Sequence, residues 1–225
     1  MRAGVYVVIA AYNEESAVGD VIRSVSALYP NVVVVDDGSS DGTADVAAAE
    51  ARFTLRHSIN RGQGAALQTG IEFAIGRGAR IIVTFDADGQ HRVEDVAAMI
   101  APIVAGEAEI ALGSRFLGRA VNLPSSRRVM LRLAVLFTRI VNRMPLTDAH
   151  NGFRAFSRKA AGHINITADR MAHASEIIDQ IRESGLAFKE VPVEVRYSEY
   201  SLAKGQSTVR AVGTVFHYLM ARVIG

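Results

Sequence analysis

The chain has 225 residues, of which 49% are hydrophobic, 21% are charged and none is cysteine. Its length and composition predict one folded globular domain of moderate size, and the lack of cysteine excludes disulfide frameworks, cysteine-ligated zinc and thiol catalysis. A formal net charge of only +2 argues against non-specific binding of nucleic acid, and the apolar runs are too short for a membrane-spanning helix, which needs about 20 residues.

The first part of the chain alternates strand and helix patterns. Residues 5–11 form an apolar run typical of a buried strand, apolar residues recur at helical spacing in residues 16–28, and residues 32–35 form a second apolar run. This order predicts a parallel βαβ unit, because parallel strands need a crossover connection. Asp36 and Asp37 follow the second strand, so we expect them at the carboxyl edge of the sheet, where either carboxylate can accept hydrogen bonds from a base or a ribose.

A glycine-rich segment at residues 60–66 leads into a helix of small residues, after a short helix from Ala44 and a weak strand at residues 53–57. Glycines at a helix N-terminus let backbone N–H groups approach an anion. The segment fits a tight turn with close helix packing equally well, and it matches neither the P-loop nor the dinucleotide-binding glycine pattern.

Two carboxylates one residue apart follow the buried strand predicted at residues 81–85. Asp86 and Asp88 leave the carboxyl end of this strand, and Gln90 continues the alternation as a neutral oxygen ligand. Hard oxygen ligands of this kind suit Mg²⁺ or Mn²⁺ held partly by substrate phosphates. For the two carboxylates alone, a solvated turn is the alternative, because Asp and Gly are common turn residues.

The second half of the chain carries a basic region without acidic residues. After a helix predicted at residues 93–104 and a strand at 109–113, seven arginines and no acidic residue occur between Arg115 and Thr147. Apolar residues interleave with these arginines and predict an amphipathic helix at about 127–143. Such a helix can lie on an anionic membrane surface, or it can pack its apolar face on the core with the arginines solvated.

The last third of the chain predicts further short segments. They are a turn at residues 148–154, a helix starting near Met171 with Ser175 as its cap, a half-exposed edge strand at 190–197, a loop at 198–207 and an apolar helix at about 208–224.

Six motifs follow one another between residues 5 and 157, and they are Tyr12-Asn13-Glu14, VVVVDDGSSDGT, NRGQGAAL, FDADGQH, GSRF and NGFRAFS. In this order they resemble the family 2 glycosyltransferases with a GT-A fold, with most similarity to the polyprenyl-phosphate (dolichyl-phosphate) mannose and glucose synthases. The resemblance implies an α/β fold with a mostly parallel sheet and helices on both faces. It also implies a metal-dependent, inverting transfer of a hexose from a UDP- or GDP-sugar to a polyprenyl phosphate, with Mg²⁺ or Mn²⁺ as cofactor.

The resemblance also implies roles for residues of this chain. The nucleotide-sugar set is Ala10, Tyr12, Glu14, Asp36, Asp37, Gly64, Asp86 and Asp88. The metal set is Asp86, Asp88 and Gln90. The acceptor-phosphate set is Arg115, Arg127, Arg128 and Lys204, and the catalytic set is Asp88, Arg115 and Asp148.

From these residues and this resemblance we expect a GT-A catalytic domain at 1–207 and a C-terminal apolar helix at 208–225 that contacts the membrane surface or a second subunit. The expected location is cytoplasmic and peripheral, at the inner face of the membrane. The expected partners are a nucleotide diphosphate sugar, a polyprenyl phosphate lipid, the cytoplasmic membrane surface and either a second copy of the chain or a separate membrane protein, but no nucleic acid.

Two departures from the family pattern leave the acceptor open: Gln63 replaces the usual lysine, and the loop YSEYSLAKGQS differs from the R-x-x-G-x-S of typical mannose synthases. A phosphate monoester is largely ionised at neutral pH, so it needs positioning cations rather than a strong base. A saccharide hydroxyl would instead need a carboxylate base, for which Asp148 is the first candidate and Glu176 the second. A non-catalytic nucleotide-binding or membrane-surface module and a nucleotidyltransferase are the alternatives from other classes.

Overall fold

The computed structural model describes residues 2–141, 143–167 and 173–204. After a short 3₁₀ turn the chain forms seven strands and eight helices within this described part. The strands are β1 (Val5–Ala11), β2 (Asn31–Asp36), β3 (Phe53–Arg56), β4 (Ile81–Asp86), β5 (Ile110–Val121), β6 (Arg154–Ser157) and β7 (Phe188–Arg196). The helices are α1 (Glu15–Ser26), α2 (Thr43–Glu50), α3 (Gln63–Gly76), α4 (Asp95–Val104), α5 (Ser125–Val141), α6 (Arg158–Ala161), α7 (His173–Ser184) and α8 (Glu199–Lys204).

The strands form one mixed sheet in the order β3-β2-β1-β4-β6-β5-β7. Strand β1 pairs in parallel with β2 and β4, and β6 runs antiparallel to both of its neighbours, β4 and β5. The carboxyl ends of β1, β2, β4 and β5 therefore meet at one edge of the sheet. The start of β6 lies at the same edge, because Arg154 pairs with Thr84 near the end of β4.

Helices cover both faces of the sheet, as the sequence predicts. The central strands are apolar on both faces, and each face builds its own buried cluster. Ile22 of α1 and Met99 of α4 pack on one face, whereas Ile71 of α3 and Ile177 of α7 pack on the other. A parallel strand buried on both faces reads as a continuous hydrophobic run, which is the pattern of β1, β2 and β4.

Helix α5 confirms the predicted amphipathic helix, with bounds two residues earlier than expected. Val135 and Thr138 are buried against the protein. A second apolar stripe on the same helix faces away from the core, and its members are Val129, Leu133, Leu136 and Ile140, which are 59%, 61%, 53% and 68% exposed. The helix therefore contacts the core along one line and presents a separate apolar line outward.

Some sequence-based expectations were wrong in detail. Strand β6 is absent from the predicted strands, because a four-residue strand gives almost no periodic signal. Ser175 is the third residue of α7 rather than its cap. Part of the loop predicted at 198–207 is helix α8, and β5 runs eight residues beyond its predicted end at Gly113 to Val121.

The apolar helix predicted at 208–224 and the rest of the 208–225 segment lie outside the described residues. Among the residues that the structure describes, no helix combines the length and the apolar character needed to cross a membrane.

Candidate functional site

The carboxyl edge of β2 places two buried aspartates with different partners. Asp37 accepts hydrogen bonds from the backbone N–H groups of Arg61 (3.0 Å) and Gly62 (2.6 Å), and its Oδ1 lies 2.7 Å from Nδ1 of His57. Asp37 therefore fixes the glycine-rich segment that enters α3. Its carboxylate is hydrogen-bonded to this segment, and its contact with the nucleotide stays a prediction.

At the same edge, Asp36 contacts Ser39 and Arg56, which are two of the residues that line a cavity of about 280 Å³. Its buried carboxylate lies 3.2 Å from Nε of Arg56 and accepts hydrogen bonds from the N–H of Ser39. The cavity is lined by Gly38, Ser39, Arg56, His57 and Ser58. Gly38 has a φ of +72°, and a Cβ there would lie 2.7 Å from the carbonyl carbon of Ile59, so this wall requires glycine.

Asp86, the last residue of β4, is held by two neighbouring side chains. Its Oδ2 accepts a hydrogen bond from Nε2 of His91 (2.8 Å), and its Oδ1 accepts one from the side-chain amide of Gln63 (3.3 Å). Burial alone would raise the pKa of Asp86, but the hydrogen bond from His91 and the nearby charges of His91, Arg154 and Arg115 lower it. Asp86 therefore stays ionised. Gln63, which stands where the family has lysine, reaches this carboxylate.

The pKa of Asp88 shifts in the direction opposite to that of Asp86. Burial and the neighbouring charge of Asp86 raise the pKa of Asp88 to about 6, and the N–H of Gln90 offsets this only partly with a 3.1 Å hydrogen bond. Two carboxylates that share a site without a cation between them show this behaviour. The turn therefore holds negative charge that the side chains of the chain itself compensate poorly.

This uncompensated charge fits a divalent cation. Within the described ranges, no three histidine, aspartate or glutamate side chains are grouped as a metal site by themselves. A cation bound to Asp86, Asp88 and Gln90 would thus complete its shell with water and substrate phosphate oxygens, as Mg²⁺ commonly does.

Arg115, in the middle of β5, forms a buried ion pair with Asp148. Asp148 Oδ2 accepts from the backbone N–H (3.1 Å) and from Nε (2.6 Å) of Arg115. The remaining groups of the guanidinium donate to the hydroxyl of Tyr197 (2.5 Å) and to the carbonyl of His150 (3.1 Å). Arg115 is thus brought into the site, but its donors are engaged within the protein.

The loop between Asp148 and β6 leaves several buried polar atoms without a partner. These atoms are Asp148 Oδ1, His150 Nδ1, Asn151 Nδ2 and Arg154 Nη1. Burial lowers the pKa of His150 to about 4 and that of Arg154 to about 10, although Asp86 and Asp148 oppose the latter change. An acceptor and several donors left open in one loop suit a ligand or waters that both donate and accept.

The other predicted site residues lie around these groups. Tyr12 is exposed at the end of β1, and Gly64 lies in the first turn of α3. Glu14 accepts a 2.7 Å hydrogen bond from the hydroxyl of Tyr200 on α8. Lys204 ends α8, but its side chain lies outside the described part.

The arginines of α5 and the second candidate base complete the predicted set. The guanidinium of Arg127 lies over the ring of Tyr197, with 5.3 Å between its central carbon and the ring centroid, and Arg128 is exposed. Glu176 accepts hydrogen bonds from the N–H and hydroxyl of Thr167.

Sequence reasoning missed four residues that shape the site: His57, His91, Arg154 and Tyr197. His91 and Arg154 stand inside the quoted motifs FDADGQH and NGFRAFS, so a charged or ionisable residue next to a predicted carboxylate was the available signal. His57 and Tyr197 are partners of Asp37 and Arg115 at distances of 20 and 82 residues along the chain, which no local pattern reveals.

Comparison with known proteins identifies the family. The model of Glycosyl transferase family 2 matches residues 6–164. A UDP-N-acetylglucosamine–dolichyl-phosphate N-acetylglucosaminyltransferase of Methanococcus voltae is 31% identical over 97% of this chain and 96% of its own. A polyprenol monophosphomannose synthase of Mycolicibacterium smegmatis is 31% identical over 87% of this chain and 78% of its own.

A solved structure supports the fold. Glucosyl-3-phosphoglycerate synthase of Mycobacterium tuberculosis, in complex with Mn²⁺, uridine diphosphate and glucosyl-3-phosphoglycerate, superimposes with a TM-score of 0.75. The match covers 99% of this chain and 79% of that one at 20% identity, so it shows the GT-A fold alone. The chain therefore belongs to glycosyl transferase family 2 and is a glycosyltransferase with a GT-A fold.

Proposed function

We propose that the chain transfers a hexose from a UDP- or GDP-sugar to a polyprenyl phosphate, with inversion at the anomeric carbon and with Mg²⁺ or Mn²⁺. The arrangement of charge carries this proposal. A carboxylate pair at the end of β4 suits a cation and a diphosphate, and the acid-free arginine segment after β5 suits an acceptor that is itself an anion. Relatives that name dolichyl phosphate or polyprenol as their acceptor support the same assignment.

The donor would lie along the carboxyl edge of β1, β2 and β4. The cavity beside Asp36 accommodates the nucleoside, and the turn with Asp86 and Asp88 receives the diphosphate. A divalent cation held by Asp86, Asp88 and Gln90 would neutralise the charge that grows on the leaving diphosphate. Asp88 serves this purpose best when it is ionised, because its remaining oxygen is then a full anionic ligand.

The acceptor phosphate needs cations more than it needs a base. Its second pKa lies near 6, so at neutral pH most of it carries the negative charge required for attack. Arg127 and Arg128, in the first turn of α5, are the members of the predicted acceptor set whose described side chains are not consumed by the Arg115–Asp148 pair. Guanidinium groups hold phosphate oxygens in pairs, which positions the attacking atom.

The lipid acceptor implies a peripheral position on the inner face of the cytoplasmic membrane. The exposed stripe of α5 supports it, because four apolar side chains at helical spacing stand outward between arginines. Apolar residues enter the interface of a bilayer while neighbouring arginines meet anionic headgroups. A segment after α8, a second copy of the chain or a separate membrane protein would add to this attachment.

One observation favours a second candidate acceptor, a saccharide hydroxyl. Asp148 Oδ1 is buried and has no partner, while Arg115 holds the other oxygen. A carboxylate fixed in this way can accept the proton of a hydroxyl. Under this alternative Asp148 is the general base and the enzyme acts in glycan or polysaccharide assembly.

A transfer assay tests the proposal. The protein is incubated with Mg²⁺ or Mn²⁺, a panel of labelled UDP- and GDP-sugars and a short polyprenyl phosphate, and label is followed into the organic phase. We expect metal-dependent lipid label that Asp88→Asn abolishes and Asp45→Asn, at an exposed position of α2, leaves unchanged.

Other outcomes would contradict the proposal in different ways. Transfer of the sugar to a saccharide, with release of the nucleoside diphosphate and no lipid label, would establish the hydroxyl acceptor if it is lost in Asp148→Asn. Binding of a nucleotide sugar without turnover, across lipid and saccharide acceptors, would favour a non-catalytic nucleotide-binding module. Consumption of a nucleoside triphosphate with pyrophosphate release would favour a nucleotidyltransferase.

A further inference from the structure

Each of the three guanidinium nitrogens of Arg115 donates one hydrogen bond within the protein, which uses three of its five N–H groups. Its Nε and backbone N–H bind Asp148, its Nη1 binds the hydroxyl of Tyr197 at 2.5 Å, and its Nη2 binds the carbonyl of His150. The side chain is only 7% exposed. A phosphate would have to compete with these bonds at a side chain that is almost fully buried, and breaking a buried ion pair is strongly unfavourable.

Tyr197 connects this buried pair to the acceptor end of the site. Its side chain is buried, its backbone N–H donates to the carbonyl of Val121 (3.0 Å), and its hydroxyl accepts from Arg115. The ring cannot turn freely, because both its hydroxyl and its backbone are held. The guanidinium of Arg127 lies 5.3 Å from the centroid of this ring.

Because the guanidinium of Arg127 lies over a fixed aromatic ring, its side chain is already restricted and loses less conformational entropy when it binds an anion. The contact is attractive, and it becomes stronger as it excludes more water. Ordering a free arginine side chain on binding costs conformational entropy, so an arginine already ordered by a ring binds phosphate more tightly. Arg128, the next residue, is exposed and offers a direct comparison.

Resting on the proposed function, we propose that Tyr197 is a positioning residue for the acceptor: its ring holds Arg127 in place for the phosphate, and the Arg115–Asp148 pair holds the ring. In this arrangement Arg115 acts through Tyr197 rather than as a ligand of the phosphate. The two arginines therefore have different roles: Arg115 orders Tyr197, and Arg127 binds the acceptor phosphate.

The test measures binding of a short polyprenyl phosphate by calorimetry, together with steady-state transfer kinetics. The variants are Tyr197→Leu, Tyr197→Phe, Arg127→Ala, Arg128→Ala and the double combinations with Tyr197→Leu. The control is Tyr29→Leu, because Tyr29 is likewise buried with an arginine guanidinium over its ring, 5.7 Å away, but it precedes the start of β2, at the edge of the sheet opposite to the site.

We expect Tyr197→Leu to raise the acceptor Kd and KM about three- to tenfold, which corresponds to the energy of the ring contact. The donor KM and kcat should stay within about twofold, and Tyr197→Phe, which keeps the ring, should have a smaller effect. Adding Tyr197→Leu to Arg127→Ala should cause no further loss, whereas adding it to Arg128→Ala should give the sum of the two effects.

Three results would overturn the inference. Additive effects of Tyr197→Leu and Arg127→Ala would show that the ring does not act through Arg127. A lower kcat with an unchanged acceptor KM, shared with Tyr29→Leu, would show a general loss of structure. Normal acceptor binding in both Tyr197 variants would show that the ring is irrelevant.

The failure of the proposed function has a different signature. If the unaltered protein bound nucleotide sugar but no polyprenyl phosphate, the lipid acceptor would be excluded and this inference with it. If Tyr197→Leu does not fold, as judged by its thermal transition, the cycle of Tyr197→Met with Arg127→Ala gives the same decision, because methionine fills the space with a flexible side chain that has no aromatic ring.

Discussion

The backbone of Gly152 touches the carboxylate of Asp86: a Cβ built on Gly152 would lie 2.5 Å from Oδ1 and 2.7 Å from Oδ2 of Asp86. Asp86 cannot simply rotate away, because His91 holds its Oδ2. We therefore expect Gly152→Ala to displace the carboxylate and to lower kcat/KM for transfer about a hundredfold, the typical effect of a misplacement near 1 Å.

Gly162→Ala is the matched control for this change. A Cβ at Gly162 would be 3.5 Å from its nearest neighbour, the carbonyl oxygen of Lys159, which is an ordinary contact. Activity measured side by side should fall only in Gly152→Ala. Full activity in Gly152→Ala would mean that the exact position of Asp86 does not limit transfer.

Asp88 should make the metal-free protein less stable than its asparagine variant. Burial and the charge of Asp86 raise its folded pKa to about 6 from the ordinary 3.8, so the folded state binds the extra proton and loses stability as the pH rises between these values. After a discount for partial exposure, we expect Asp88→Asn to increase the free energy of unfolding by about 1–2 kcal/mol at pH 7.5. Denaturant unfolding without metal or nucleotide measures it.

The increase in the free energy of unfolding should occur only for the substitution at Asp88 and only in the absence of metal. Asp45→Asn, at an exposed site, should leave stability within about 0.5 kcal/mol. Adding Mn²⁺ and a nucleoside diphosphate should stabilise the unaltered protein more than Asp88→Asn. A destabilised Asp88→Asn protein would show that the charge of Asp88 is compensated within the fold.

His150 should make stability fall as the solution becomes acidic. Burial lowers its folded pKa to about 4, with the nearby cations Arg154 and Arg115 acting in the same direction. Between pH 6.5 and pH 4 the unfolded chain therefore binds a proton that the folded protein excludes. Its contribution is fully present above pH 6.5 and is lost at no more than about 1.4 kcal/mol per pH unit below it.

Asp88 titrates in the opposite direction over the same range, so the measurement belongs in the Asp88→Asn protein. There, unfolding free energies from pH 7 to pH 4 should decline less steeply after His150→Gln, and His163→Gln, at an exposed histidine, should leave the slope unchanged. Equal slopes in all three proteins would refute a neutral, buried His150.

The exposed stripe of α5 should mediate binding to anionic vesicles. Leu133→Glu combined with Leu136→Glu removes apolar side chains that are 61% and 53% exposed and adds negative charge among the arginines. We expect co-sedimentation at low salt to fall at least tenfold, because about 1 kcal/mol is associated with each charge near the surface. Val104→Glu, at an apolar residue 42% exposed on α4, is the control. Undiminished sedimentation of the double variant would place attachment elsewhere.

The first half of the fold was predictable because its signals are local. β1, β2 and β4 are buried on both faces and read as uninterrupted apolar runs, and each ends in acidic or polar residues that a parallel sheet must bring to one edge. Strand β6 and helix α8 were missed because four to six residues carry too little periodicity. Strand β6 pairs with β4 and β5, and Tyr200 of α8 donates to Glu14. These partners of β6 and α8 are distant in sequence.

The candidate site shows the same division. Asp36, Asp37, Asp86 and Asp88 were predicted at the correct edge, since their position follows from strand polarity. Their individual roles were not predictable, because the hydrogen bonds that tie Asp37 to the glycine-rich segment and Asp86 to His91 form only in three dimensions. The acceptor-phosphate arginines were predicted from the family resemblance. Their spacing alone does not distinguish a helix on a membrane surface, a helix packed on the core and a phosphate-binding site.

The insertion of β6 between β4 and β5 has a consequence for how the enzyme assembles. β4 and β5 do not pair with each other in this order. Within the sheet, β6 joins the first four strands to β5 and β7, and the ribosome makes β6 about 70 positions after β4. Until Arg154–Ser157 is in place, two bare strand edges face each other and Asp86 lacks the wall formed by Gly152. Such a long-range closure is expected to come late in folding. A chain interrupted before β6 would hence expose both edges to aggregation, and catalytic competence and sheet completion become a single event.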